Sequence, residues 1–363
     1  MSSLLILLGI VFGFVALIAG GELLVRGASN LAAAAKVSPL IIGLTVVAFG
    51  TSAPELAVSI KSCFEGSSDL AVGNAVGSNL SNLLLILGIS ALAMPLAVNA
   101  RLFRLDIPVM IGAAVILWLF GRDGKLDRTE GAVCFLALII YLVMTVRAGR
   151  RESAVAAAEA EMAEAEITID PSNSGGKVIA VNLLLVVIGL VLLLLGANWL
   201  VGACVELATM FGVSELVIGL TVVAIGTSLP ELVTSLMASI RGHRDLAVGN
   251  VVGSNILNIL LVLGLSAVVA PAGINVDGQS LAFDIPVLIA LSVMALPVFL
   301  SGLDVSRGEG MAMVMYYGAY LGYLVWHSLQ QPAAHSTPVE TLLFLSPLVP
   351  LALLMLYWSR RKP

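Results

Sequence analysis

The sequence predicts an all-α integral membrane protein, a ten-helix core of two inverted five-helix repeats with one extra C-terminal helix. Three observations carry this. The chain of 363 residues is 59% hydrophobic and only 11% charged, where soluble domains carry about a quarter charged residues. Its apolar residues gather in runs near the ~20 residues that span a bilayer as a helix. Part of this pattern then returns almost unchanged 176 residues later.

In chain order the apolar runs lie near 4–24, 39–63, 70–94, 105–120, 130–147, 178–201, 214–240, 246–270, 283–301, 309–328 and 341–358. The first has no basic residue ahead of it and no small-residue cleavage site after it, so it is expected to remain as a helix of the mature chain. Counting Lys and Arg over alternating loops puts fourteen on one side, among them Arg26, Arg101, Arg147, Arg241 and Arg361. Four stand on the other: Lys61, Arg122, Lys125 and Arg128. The richer side is cytoplasmic by the positive-inside rule. A plasma (inner) membrane location is expected, with the N-terminus outside and the C-terminus in the cytoplasm.

Aligning Ser38–Ser90 with Ser214–Ser266 needs no gap, and 33 of 53 positions are identical. The motif begins in the second run and recurs in the seventh, five crossings later, so the two copies traverse the membrane in opposite directions. Inverted repeats of this kind mark alternating-access carriers, with the substrate site near the midplane between the repeats. The chain therefore divides into 1–148 (first repeat), 149–177 (cytoplasmic linker), 178–329 (second repeat) and 330–363 (accessory helix and basic C-terminus). The linker, with its Ala/Glu stretch and "DPSNSGG", reads as a short helix and a flexible connector.

Within each copy stands a broken helix, "GTSAPE" at Gly50–Glu55 and "GTSLPE" at Gly226–Glu231. Pro54 and Pro230 have no N–H to donate, which frees the carbonyls of Gly50 and Gly226. Irregular backbone at this depth is tolerated only where it is buried in protein or lines a cavity. Thr51, Glu55 and Ser59 fall at i, i+4 and i+8, as do Thr227, Glu231 and Ser235. The next run adds Asn74, Ser78 and Asn82, matched by Asn250, Ser254 and Asn258. Every group in the set is an oxygen donor, which suits Ca²⁺ or an alkali cation rather than Zn²⁺ or Cu⁺. An ionised Glu at the bilayer centre costs roughly 3 kcal/mol on the insertion scale, so two of them call for a compensating cation or proton. Gly73/Gly77 and Gly249/Gly253 form GxxxG pairs that would let the helix approach a neighbour closely.

Other residues receive plainer expectations. Cys63, Cys134 and Cys204 are small buried hydrophobes without metal spacing. Asp106 and Asp284 are expected as helix caps, and Asp127/Glu130 and Ser306/Glu309 as capping boxes. Glu22 near Arg26 is either a packing partner or a residue of an access path. His243, His327 and His335 have no paired base or nucleophile, so an enzyme is not expected, nor a cofactor or a nucleic-acid partner.

The stretches "GLTVVAFGTSAPELAVSI…AVGNAVGSNLSNLLLILG" and "GLTVVAIGTSLPELVTSLMASI…AVGNVVGSNILNILLVLG" resemble the paired alpha repeats of the cation/calcium exchanger superfamily, most of all its bacterial sodium/calcium antiporters. The resemblance implies a central Ca²⁺ site at Glu55 and Glu231. It also implies flanking Na⁺ sites using Thr51, Ser52, Ser78, Thr227, Ser228 and Ser254, with the carbonyls of Ala48 and Ala224. Members that co-transport K⁺ carry an acid where this chain has Asn258; Asn82 and Asn258 are both amides here, so exchange without K⁺ is expected. Two carboxylates are neutralised by one Ca²⁺, while three Na⁺ leave one positive charge, so exchange at that ratio is electrogenic. The alternative is an H⁺/Ca²⁺ antiporter using the same glutamates.

Overall fold

The computed structural model describes residues 3–35, 37–163, 176–213, 218, 221–222, 224–300, 304–330 and 338–349. The first repeat comprises α1 (Ser3–Ala34), α2 (Pro39–Thr51), α3 (Ala53–Phe64), α4 (Asp69–Ala93), α5 (Asp106–Phe120) and α6 (Arg128–Ala163). The second comprises α7 (Gly176–Met210), α8 (Ala224–Thr227), α9 (Leu229–Ile240), α10 (Arg244–Val269), α11 (Ile285–Leu300) and α12 (Arg307–Gln330), followed by α13 (Pro338–Leu345). α2 and α3 are two arms of one span bent by 41°.

Among the described residues seven helices are long and apolar enough to cross a membrane, or eight with the bent pair. Of the remaining expected runs, 214–240 lies partly outside the described residues, with α9 as its visible arm. The run 309–328 falls within α12, 24 residues long and rich in Gly and Tyr. Residues 350–363, the second half of the expected eleventh helix, lie outside the described residues. The Ala/Glu stretch is no separate helix: it prolongs α6 unbroken to Ala163, because nothing between Arg147 and Ala163 breaks a helix except one Gly. Residues 164–175 lie outside the described residues.

The repeat motif occupies the centre of the molecule. α4 and α10 bury 78% and 89% of their spans, against 33% and 22% for α1 and α7, which face lipid. α1 and α7 run antiparallel in contact. A Cβ on Gly13, Gly20 or Gly27 would come within 2.9, 2.8 and 2.9 Å of α7 backbone atoms, so only glycine permits this approach. Likewise a Cβ on Gly249 or Gly253 of α10 would lie 2.7 Å from Leu40 O and 2.8 Å from Leu44 Cα and O. The residues that would meet Gly73 and Gly77 by repeat symmetry, 216 and 220, lie outside the described residues.

Two short antiparallel pairs stitch loops of opposite repeats together: β1 (Leu96–Ala97) with β4 (Asp304–Val305), and β2 (Lys125–Leu126) with β3 (Ile274–Asn275). Each pair joins loops that the alternating topology puts on the same side of the membrane. The capping boxes form, with Glu130 N–H donating to Asp127 Oδ1 (2.8 Å) and Ser306 N–H donating to Glu309 Oε2 (2.8 Å). Asp106 and Asp284 are not caps. A π turn at Ser280–Asp284 precedes α11, and α5 has Leu105 as its N-cap residue. Both carboxylates turn inward, accepting from Tyr141 and Tyr320 hydroxyls at 2.9 Å.

Candidate cation site

The helix break falls on a serine in both copies. Ser52 (φ −83°, ψ 3°) and Ser228 (φ −90°, ψ 7°) leave helical geometry, and Pro54 and Pro230 sit in the first turn of the resumed helices α3 and α9. Glu55 and Glu231 belong to the same first turns, where unpaired N–H groups and the positive end of the helix dipole favour an anion. Both side chains are buried, at 0% and 1% exposure, and no carboxylate oxygen of either has a hydrogen-bond partner among the described residues. Two buried carboxylates without partners would be strongly destabilising left ionised and alone, so the pair calls for a cation or protons to balance it.

The oxygens around them come from both repeats. Ser78 lies beside the Glu55 carboxylate, and Thr51 and Ser52 of the first repeat lie beside that of Glu231 in the second. None of the three reaches hydrogen-bond geometry to it. Asn74 donates from Nδ2 to Glu55 O (3.2 Å) and Ser59 Oγ (3.0 Å); Asn250 repeats this with Glu231 O (3.4 Å) and Ser235 Oγ (3.0 Å). Each amide thereby pins the bent helix to its neighbour just past the hinge. Thr51 shares its one proton among Val47 O (3.2 Å), Ala48 O (3.3 Å) and Asn250 Oδ1 (3.2 Å), and the last contact crosses between the repeats. Oγ of Ser52, Ser228 and Ser254, and Oδ1 of Asn82 and Asn258, are buried without a partner among the described residues. All are oxygens open to a hard cation.

The two halves of the site differ in access. Thr51 is fully buried, and its counterpart Thr227 is half-buried. Thr227 lines a cavity of about 450 Å³ with Pro54, Asn198, Val201, Gly226 and Pro230. On the equivalent face of the first repeat, a Cβ on Gly21 would come 2.8 Å from Val233 Cγ1. There Glu22 is tied to Arg241, at 2.7 Å, not to the neighbouring Arg26. Ala48 O already accepts from the Ser52 amide (3.0 Å), while the Ser228 amide bonds Ile225 O (3.1 Å), leaving Ala224 at the head of α8.

Among the described residues no group of three or more His, Cys, Asp or Glu could hold a metal. The site thus offers two carboxylates and otherwise neutral oxygens, a low charge count that goes with weaker and more reversible cation binding. The sequence reading overlooked Asn79 and Asn255, both buried beside this site. Their signal was present, since they follow Ser78 and Ser254 directly in the matched "GSN" of each copy.

A sequence profile described as sodium/calcium exchanger protein matches residues 5–147 and 181–326, one broken-helix motif in each half. The chain belongs to that family. Its relatives include the putative antiporter CaxA of Alkalimonas amylolytica, 38% identical over 86% of this chain and 96% of that protein. The sodium/calcium exchanger MaX1 of Methanosarcina acetivorans is 33% identical over 89% of this chain and 98% of that protein. Among solved structures, the sodium-calcium exchanger NCX_Mj superposes with a TM-score of 0.73 at 29% identity, covering 90% of this chain and 99% of that one. As an exchanger-family protein the chain is a multi-pass secondary transporter, a cation/calcium antiporter rather than an enzyme.

Proposed function

We propose that the protein exchanges Na⁺ for Ca²⁺ by alternating access at Glu55 and Glu231, with Thr51, Thr227, Ser52, Ser228, Ser78, Ser254, Asn82, Asn258 and the carbonyls of Ala48 and Ala224 completing the ligand set. The observation that carries this reading is the pair of buried carboxylates from opposite repeats, without hydrogen-bond partners among the described residues and flanked by hydroxyls of Ser78, Thr51 and Ser52. MaX1 and NCX_Mj, both called sodium/calcium exchangers, support Na⁺ as the coupling ion.

Ca²⁺ and Na⁺ compete for the same two carboxylates, and only an occupied site is close enough to neutral to cross the low-dielectric interior. The 450 Å³ cavity at Thr227 lies beside the break of the second repeat, whereas at the matching end of the first repeat Glu22 pairs with Arg241. With Arg241 on the Lys/Arg-rich face, the cavity is the outward approach to a site whose two carboxylates are themselves enclosed. In this reading the two repeats, 1–148 and 178–329, act as units around the site, with 149–177 linking them and 330–363 as an accessory segment.

One Ca²⁺ balances the two carboxylates and three Na⁺ overshoot by one, so exchange moves net charge. Ca²⁺ entering Na⁺-loaded vesicles carries +2 in against +3 out, and an inside-positive potential accelerates uptake. Flux indifferent to potential between clamped limits would contradict this stoichiometry.

A further inference from the structure

Four buried amides interlock where the two repeats meet. Asn82 donates from Nδ2 to Asn255 Oδ1 (2.9 Å), and Asn258 donates from Nδ2 to Asn79 Oδ1 (3.0 Å). Asn79 in turn donates from Nδ2 to the backbone carbonyl of Asn255 (3.1 Å), whereas Nδ2 of Asn255 meets the Met110 thioether at 3.7 Å. None of the four is more than 1% exposed.

The network decides which end of each ligand amide is left over. Amide oxygen and nitrogen exchange places by a half-turn, and only their partners fix the choice. A backbone carbonyl can only accept, so Asn79 must spend its NH₂ on Asn255 O and offer its oxygen to Asn258. Asn258 must therefore present its NH₂ to Asn79, and its Oδ1 remains. The same logic leaves Oδ1 of Asn82, anchored through Asn255 on a thioether, which is a weak acceptor. Both leftover oxygens are buried without a partner among the described residues. Each lies at the start of a π segment, Asn82 second in Ser81–Ile86 and Asn258 first in Asn258–Leu263, packed on the helix that carries the other repeat's glutamate, α9 and α3 respectively.

We propose that Asn79 and Asn255 are positioning residues, which hold Asn258 and Asn82 with oxygen rather than NH₂ toward the cation, and that the hold on Asn258 is the firmer. A cation facing an NH₂ group would meet repulsion where it needs a ligand, so releasing the amides weakens Ca²⁺ binding without removing a ligand atom. The inference rests on Asn82 and Asn258 belonging to the ligand set.

The test is a pair of double-mutant cycles on full-length protein in proteoliposomes, reading the half-saturating Ca²⁺ for Na⁺-driven ⁴⁵Ca²⁺ uptake. Asn79→Ala is expected to raise it about fivefold or more in the wild-type background and less than about twofold in an Asn258→Ala background, because groups in one network are non-additive. Met110→Leu, a core swap tolerated for its volume and matching the apolar Leu288 at the equivalent place of the second repeat, keeps the test open should Asn79→Ala not fold. It is expected to raise the half-saturating Ca²⁺ about twofold or more, and to lose that effect in an Asn82→Ala background. Equal effects in both backgrounds would overturn the positioning role while leaving the ligand set standing. If Asn258→Ala and Asn82→Ala themselves leave half-saturation unchanged, the ligand reading of these amides fails and the inference fails with it.

Discussion

Glu55→Gln removes one of the two buried charges while keeping the side chain's shape and one oxygen. Two unit charges at ~4 Å interact by about 4 kcal/mol at an effective dielectric near 20, hence about 8 kcal/mol for a divalent ion. Even if half of that is recovered by relaxation and by the amide oxygen, ~4 kcal/mol remains, roughly a thousandfold in Ca²⁺ affinity. The glutamate is fully buried and its carboxylate has no partner among the described residues, so little solvent screening softens this figure. Two readouts follow from the same geometry. In ion-free buffer the variant should be at least as heat-stable as wild type, because an unpaired buried charge has gone. Added Ca²⁺ should stabilise wild type by about 2.7 kcal/mol at a hundredfold excess over Kd and leave the variant unmoved. A variant that keeps saturable Ca²⁺ uptake within tenfold of wild-type affinity, or a Ca²⁺-dependent thermal shift, would refute Glu55 as a ligand. Glu231→Gln should behave alike.

Glu22→Gln cuts the tie between α1 and Arg241. At 55% and 37% side-chain exposure the pair is worth about 0.5–1 kcal/mol, so the balance of inward- and outward-facing states should shift about two- to fivefold, read as the ratio of cysteine labelling at the two vestibules. Gly253→Val would drive a Cβ within 2.8 Å of the Leu44 backbone, and overpacking of this kind costs about 1–3 kcal/mol; a lowered thermal midpoint with lost transport is expected. Tyr320→Phe strips Asp284 of its 2.9 Å donor, lowering stability by about 1–3 kcal/mol while Ca²⁺ half-saturation stays put. With amides at Asn82 and Asn258, uptake should be unaffected when choline replaces K⁺.

What the sequence disclosed was whatever recurs along it. The helix break, the two glutamates, and the Asn74 and Asn250 stripes stand in matching "GTSxPE" and "GNxVGSN" strings, so local chemistry and repetition pointed to them together, although the break itself falls on Ser52 and Ser228. Contacts across the repeats could not be read in that way. Thr51 meets Asn250, not Asn74, and Asn82 meets Asn255, because antiparallel halves pair each element with the other's counterpart. The unequal exposure of Thr51 and Thr227 was equally hidden, since nearly identical strings carry no record of which copy borders a cavity. Asp106 and Asp284 looked like caps because only neighbours in sequence were visible; their tyrosines lie 35 and 36 residues away. The two-residue strands are too short to show any alternation.

The most direct test of Na⁺/Ca²⁺ exchange at the two glutamates is ⁴⁵Ca²⁺ uptake into proteoliposomes at clamped potential, with outward gradients of Na⁺, K⁺ or H⁺ imposed one at a time. The Na⁺ gradient alone should drive uptake, and Glu55→Gln and Glu231→Gln should abolish it. Uptake driven by H⁺ and indifferent to Na⁺ would contradict the assignment of the coupling ion.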